Sequence, residues 1–256
     1  YKKTVQESTF VSTEKIFENH ILKQLGSTYL NKLTVSQCQN AVNTWADVAP
    51  KTFKRFVFYA SKLINYGITM ELMKKNPMKK VILPKIERDN KKFDNFYSKD
   101  ELNTFLNDAK GYNFRYFMFF RLLAYSGMRK GECLALKWSD IDFKNNTIDI
   151  NKSLASGENN RLYLSPCKTS SSVRTLDMDT ETMHYLKEWR TKQQKEMLKL
   201  GLNFLSNDNL VFANSEGNYT VLSKPQRWDN AICKKFGLRH IKVHGFRHTH
   251  ASLLFD

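Results

Sequence analysis

The stretch SGMRKGECLALKWSDID, Ser126 to Asp142, sets a cation inside a turn. Gly127 and Gly131 bracket Arg129, and the apolar residues behind them (Cys133, Leu134, Leu136) give the turn a short helix to enter. That leaves Arg129 near a helix N-terminus, where unpaired amides and the helix dipole favour an anion. Glu132 follows three residues later, close enough to orient the guanidinium. Taken alone, an arginine in such a turn is more often a solvated surface residue than an anion hand.

Two further cationic stretches follow it. KTSSSVRT, Lys168 to Thr175, reads as a hairpin tip running into a strand. A lysine there is either merely solvated or a proton donor reaching into a site. KVHGFRHTHASLLFD, Lys242 to Asp256, holds His244, Arg247 and His248. If the stretch is helical, these three share one face. Two histidines four apart can hold zinc, but Gly245 stands where a metalloprotease has its glutamate, and no thiol or carboxylate lies close by in sequence. Two arginines, a lysine and a histidine suit a polyanion better, because Arg stays charged and grips phosphate oxygens in pairs while Lys and His exchange protons. No metal and no cofactor is expected.

Around these stretches, 41 Lys and Arg face 25 acids, a net charge of +16. Such an excess attracts polyanions and favours nucleic acid as a partner. No apolar run approaches membrane-spanning length, because Arg115 and Arg121 interrupt FRYFMFFRLLAY, Phe114 to Tyr125, which reads as a buried core helix. The four cysteines are scattered and form no C-x-x-C pair, so buried free thiols in a reducing compartment are expected. The polar opening YKKTVQES is no secretory signal, and the missing initiator Met suggests that the chain starts inside a longer parent.

The first third reads as a compact four-helix unit. Its helices run from Phe10 to a stop at Gly26, from near Thr34 or Ser36 through Trp45, from about Pro50 to a stop at Gly67, and from Ile68 to Lys75. Lys74 to Lys92, with two prolines, many cations and no helical period, reads as the interdomain linker. The expected division is a helical unit over residues 1–78, a linker over 79–94 and a second unit over 95–256. The second unit opens with a capping box, Ser98 to Glu101, ahead of a helix. A turn at Asn145-Asn146 separates strand-like runs, and Leu162–Leu164 and Val173–Met178 continue the sheet. Helices are expected over Thr180–Leu200, Lys224–Phe236 and from Val243 onward. The fold class is mainly α with a small antiparallel β-sheet.

Taken together and in this order, the three stretches resemble the tyrosine recombinases, the integrase family of temperate phages and conjugative transposons. SGMRKGECLALKWSDID resembles that family's first arginine motif, HGFRHTHAS its second box, and KTSSSVRT the hairpin with its active-site lysine. The resemblance implies a helical core-binding domain and an α+β catalytic domain. Carried across by position, Arg129 and Arg247 are the phosphate-gripping arginines, Lys168 the general acid and His244 an aid to proton transfer, with Glu132 and His248 in support. His240 and His250 receive no role. Lys51, Lys54, Arg55, Lys79, Lys80 and Thr169 are the expected DNA contacts.

The implied reaction is site-specific recombination through a 3′-phosphotyrosyl intermediate, integrating or excising a mobile element. The implied partners are double-stranded attachment sites, a homotetramer on synapsed DNA, and DNA-bending or directionality factors. The setting is the cytoplasm of a bacterial host, with no membrane. Only nine residues follow Arg247, so the resemblance also implies that the nucleophilic tyrosine lies outside these 256 residues and that this stretch alone is inactive. A type IB topoisomerase and a non-catalytic DNA-binding fragment stand as alternatives. A structural RNA-binding protein is weaker, because no aromatic stacking motif for single strands is present.

Overall fold

The computed structural model describes residues 1–86, 94–167 and 172–254. The chain forms two compact units, residues 1–91 and 92–256.

In the first unit, α1 (Glu7–Ile16) runs through one π-helical turn, Phe17–Ile21, into α2 (Leu22–Leu25), so Phe10 to Gly26 is one continuous helical rod. Helix α3 (Val35–Val48) starts at Thr34, whose hydroxyl accepts from the Gln37 amide while the Gln37 side chain accepts from the Thr34 amide. Cys38, Ala41, Val42 and Trp45 recur at helical spacing and face α4 (Phe53–Thr69), which contributes Phe56, Ala60 and Ile64. Their burial supplies most of the unit's driving force, at about 25 cal/mol for each Å² of apolar surface removed from water.

Two expectations fail here. Gly67 does not stop α4 but lies buried inside it, where a Cβ would run into the Leu30 side chain. The expected fourth helix over Ile68–Lys75 is absent, because α4 runs on to Thr69 and Glu71 takes a left-handed conformation (φ 58°). The part of the basic stretch nearest the unit is also not a free connector. Pro77–Lys80 forms a 3₁₀ turn with Pro77 and Met78 buried. The Asn76 carboxamide, itself buried, donates to Ser61 Oγ (3.0 Å) and Asn65 Oδ1 (2.8 Å) on α4 and accepts from the Met78 amide. Gln39 pairs with both backbone groups of Ile82.

The second unit begins as expected at the Ser98–Glu101 capping box, which starts α5 (Lys99–Tyr112). Asn113 caps α6 (Phe114–Ser126), the central helix, in which every residue from Phe117 to Ala124 is buried. Arg121 is buried among them because it is paired: Nε donates to Thr182 Oγ1 (2.8 Å) and Nη2 reaches Glu181 (2.9 Å) and Asp179 (3.4 Å). Short α7 (Lys130–Ala135) leads into the sheet region.

The strands do not form one sheet. β1 (Ile141–Asp142), β2 (Thr147–Ile150) and β5 (Arg174–Asp177) make an antiparallel sheet in the order β1-β2-β5, turned at Asn146 (φ 57°). β3 (Lys152–Ser156) and β4 (Leu162–Pro166) form a separate hairpin. Leu162–Leu164 is therefore a strand, as expected, but it pairs only with β3. Helices α8 (Thr180–Lys199), α9 (Lys224–Phe236) and α10 (Gly245–Leu253) complete the unit. Phe246 of α10 is fully buried, stacked 4.7 Å from Phe120 of α6 and packed on Phe105 of α5, which fixes the start of α10 against the central helix.

All four cysteines are free. Cys38, Cys133 and Cys233 are buried, and Cys167 is only half-buried. Among the described residues no helix is long and apolar enough to cross a membrane.

Candidate active site

The turn between α6 and α7 presents Arg129. Gly127 closes α6 in the left-handed region (φ 60°), and a Cβ there would strike the His250 ring, so glycine is required twice over. Arg129 stands at the N-cap of α7 with its side chain 54% exposed, while Glu132, three residues on, is 3% exposed. One Glu132 oxygen accepts from Arg129 Nη1 (2.9 Å). The other accepts from the Arg129 amide (2.8 Å) and from Arg174 Nη2 (2.9 Å). Burial works against ionisation of this carboxyl, but the hydrogen bonds from Arg174 and Arg129 outweigh it and hold it below the usual carboxylate range.

Helix α10 brings the second cationic group. Arg247 Nη1 donates to the Gly127 carbonyl, two residues before Arg129. The Arg247 guanidinium holds its proton less tightly than usual, first because it is partly desolvated and then because Arg129 and Arg174 repel it. His244, at the N-cap of α10, is also pushed down, by desolvation and then by His248, Arg247 and Arg129, which favours the neutral imidazole at pH 7. The His244 and His248 rings meet edge to face at 4.9 Å.

The structure thus brings together Arg129, Glu132, Arg247, His244 and His248. Lys168 and Thr169 lie outside the described residues. The other expected DNA contacts belong to the first unit and are exposed, with Lys51, Lys54 and Arg55 around the start of α4 and Lys79 and Lys80 in the 3₁₀ turn. Arg55 is partly engaged, donating to Ser12 Oγ (3.2 Å). Among the described residues no group of three or more His, Cys, Asp or Glu is placed to hold a metal ion.

Three contacts escaped the sequence reading. Arg174 clamps Glu132, His250 Nδ1 donates to the Ala124 carbonyl (2.9 Å), and His240 Nε2 lies 2.9 Å from the buried Asp229 carboxylate. Arg174 left a signal, since it alternates with exposed Thr175 and shares the inward side of β5 with Leu176. An arginine on the inward side of a strand needs a partner. His250 follows from the helical spacing of α10 but not its acceptor, which lies 126 residues away.

A narrower set of residues also holds the loop ahead of α10. Arg239 donates to the carbonyls of Asp94 (2.8 Å) and Phe96 (2.6 Å) and pairs with Glu101 (2.6 Å). The Tyr97 amide donates to Thr249 Oγ1 (2.9 Å), and Asn95 Oδ1 accepts from the Lys242 amide (2.8 Å). A Cβ on Gly245 would lie 2.5 Å from the Asn95 carbonyl oxygen, so this close approach needs glycine.

Comparison with known proteins finds relatives for both units. Residues 95–256 match the phage integrase family, and residues 1–46 match its N-terminal SAM-like domain. A XerC-like tyrosine recombinase of Caldanaerobacter subterraneus is 28% identical over 97% of the chain and 67% of its own length. The ICEBs1 integrase of Bacillus subtilis is 26% identical over 80% of the chain. That match spans 54% of the Bacillus protein, so the chain covers only about half to two thirds of these relatives. Among solved structures, the Tn1549 transposon integrase in complex with a circular intermediate DNA superposes with a TM-score of 0.80, at 18% identity, over 98% of this chain and 82% of that one. A lambda integrase dimer bound to a COC′ core site gives 0.69 at 14% identity, over 100% and 85%.

Proposed function

Because the chain belongs to the phage integrase family, a family of tyrosine recombinases, we propose that it is the DNA-binding and catalytic core of a site-specific recombinase that moves a mobile element. One observation carries the reading: Arg129, held on a buried glutamate, and Arg247, held on the Gly127 carbonyl, share one electrostatic neighbourhood with a neutral-leaning His244.

In this reading the scissile phosphate lies between the two arginines. A tyrosine from outside these 256 residues attacks phosphorus, and the Tyr O–P bond forms as the P–O5′ bond breaks. The departing 5′ oxygen takes a proton from Lys168, leaving a 3′-phosphotyrosyl link. Attack by another 5′ hydroxyl reverses the step, so no external energy source is needed. The guanidinium groups carry the charge that grows on the equatorial oxygens, the work an oxyanion hole does in acyl transfer. His244 accepts the tyrosine proton, and the lowered pKa keeps its ring in the neutral form that can accept one. His248 supports the ring of His244. The helical first unit holds the duplex through Lys51, Lys54, Arg55, Lys79 and Lys80, and Thr169 contacts DNA beside Lys168. Attachment-site DNA, a homotetramer on the synapse and DNA-bending or directionality factors are the proposed partners, in the cytoplasm of a bacterial host.

The test uses the full-length parent and an attachment-site duplex nicked beside the cut, with chelator present. A denaturation-resistant protein–DNA adduct that maps to a tyrosine, and that Arg247→Ala abolishes while the protein still melts cooperatively, is the expected result. DNA binding without any adduct means a non-catalytic module, and an adduct on Arg247→Ala at the wild-type rate removes Arg247 from the site.

A further inference from the structure

Orienting an arginine with a buried carboxylate has a cost in this site. A lone Arg129–Glu132 pair is neutral, so the group that fixes Arg129 also cancels the charge that phosphate is to feel. Arg174 changes that balance. Its Nη2 takes the Glu132 oxygen that Arg129 Nη1 leaves, and the trio carries a net charge of +1. Its Nη1 donates to the Ser172 carbonyl (3.0 Å), so its two terminal nitrogens are committed to protein oxygens. The Arg129 side chain is 54% exposed and that of Arg174 is 25% exposed. Both guanidinium groups hold the carboxylate, and Arg129 is the one that also faces solvent.

Two different elements thereby meet on one carboxylate. Glu132 belongs to α7, and Arg174 opens β5, whose pairing with β2 is regular from Arg174↔Ile150 to Asp177↔Thr147. The strand register therefore sets where the guanidinium stands, and both Glu132 oxygens are filled. A carboxylate with both oxygens engaged has no second orientation in which to draw Arg129 inward.

We propose that Arg174 is a positioning residue for phosphate recognition, acting through Glu132 to keep Arg129 both aimed outward and electrostatically uncancelled. The inference rests on the functional reading given above and adds a residue to it.

The test is a double-mutant cycle on the full-length protein, with single-turnover cleavage of the nicked duplex at saturating DNA and DNA affinity measured separately. Arg174→Ala is expected to slow cleavage on the order of 10²-fold, the scale of a small misplacement of a reacting group, with DNA affinity unchanged. Arg174→Lys, which keeps one cationic donor for Glu132, restores part of the rate. Because Arg174 acts through Arg129, the pair Arg129→Ala plus Arg174→Ala is no slower than Arg129→Ala alone. Losses that multiply in the double variant overturn the proposal, as does wild-type cleavage by Arg174→Ala or a loss explained by affinity. If Arg174→Ala fails to fold, as thermal melting will tell, Arg174→Lys and Arg174→Gln complete the same cycle.

If the wild-type protein forms no adduct, the functional reading falls and the proposal is read on inorganic phosphate instead. Arginine-labelled protein is titrated by nuclear magnetic resonance, and Arg174→Ala must weaken the response of Arg129. An unchanged response overturns the inference.

Discussion

Glu132 keeps a charge where water is nearly excluded, and three donors make that tolerable. Removing one member of a buried ionic group normally costs more than the group contributes, because the remainder stays desolvated. Here both arginine partners keep contact with water, so the loss is smaller. Glu132→Gln keeps one accepting oxygen and turns an amide N–H on the donors of the other, and is expected to cost about 1–3 kcal/mol, read as a lower urea midpoint with an unchanged slope. An unaltered midpoint would mean that the arginines simply turn outward. The sequence showed Arg129 and Glu132 as a pair because the interaction is local, three residues apart on one helical turn. It did not show Arg174 as their third member, because that contact spans 42 residues and depends on how β5 registers with β2. Spacing reports neighbours along the chain and is silent on neighbours across it.

At the level of elements, the start of α5 and the loop before α10 are joined by Glu101 and Arg239. Hydrogen bonds from Arg239, helped by the Ser98 amide and working against modest desolvation, lower the Glu101 carboxyl to about 2. A depressed carboxyl contributes stability that is fully present above its unfolded pKa and is lost as pH falls towards the folded one. The window therefore runs from about pH 4.5 down to about 2. Thermal melting of the wild type and of Glu101→Gln should differ at pH 6 and converge towards pH 2.5. A gap that stays constant with pH would show that the pair has no role in the acid limb. Helices were legible wherever a cap and a period agreed: the boxes at Thr34 and Ser98 start α3 and α5, and α9 runs over Lys224–Phe236 as expected. They were misread where packing overrode a local rule. Gly67 is a helix stop by propensity, yet it serves as the hollow that accepts Leu30. Asn76 sits in a stretch that reads as a basic connector, and its carboxamide donates to three oxygens on α4 and accepts from the Met78 amide of its own loop. The sheet was misread because β4 and β5 are consecutive in sequence but belong to different ladders.

Over the whole molecule, a net charge of +16 makes ionic strength the natural probe of binding. Each phosphate neutralised releases counterions, so the logarithm of affinity should fall linearly with the logarithm of salt, with a slope of about −0.9 for each contact. Alanine at Lys51, Lys54, Arg55, Lys79 or Lys80 is expected to reduce that slope by about one unit without changing which sequence is preferred. A substitution that weakens binding but leaves the slope intact takes that residue off the phosphate backbone. Composition pointed to this class of partner and the three motifs pointed to the family, whereas Arg174 came only with the fold.

The hold of residues Asp94–Tyr97 on the stretch from Arg239 to Thr249 also has a consequence in time. These hydrogen bonds link positions 143–152 residues apart, whereas the side-chain bonds named for the first unit span at most 43. Contacts that close such long loops form late, because the chain entropy must be surrendered before they return anything. During synthesis from the N-terminus, Arg129 and Glu132 emerge with their helix long before Arg247 exists to join them. A polypeptide still on the ribosome thus carries Arg129 and Glu132 without the Arg247 that joins them, and the cluster comes into being only after residue 249 has been made and folded back onto the segment that precedes α5.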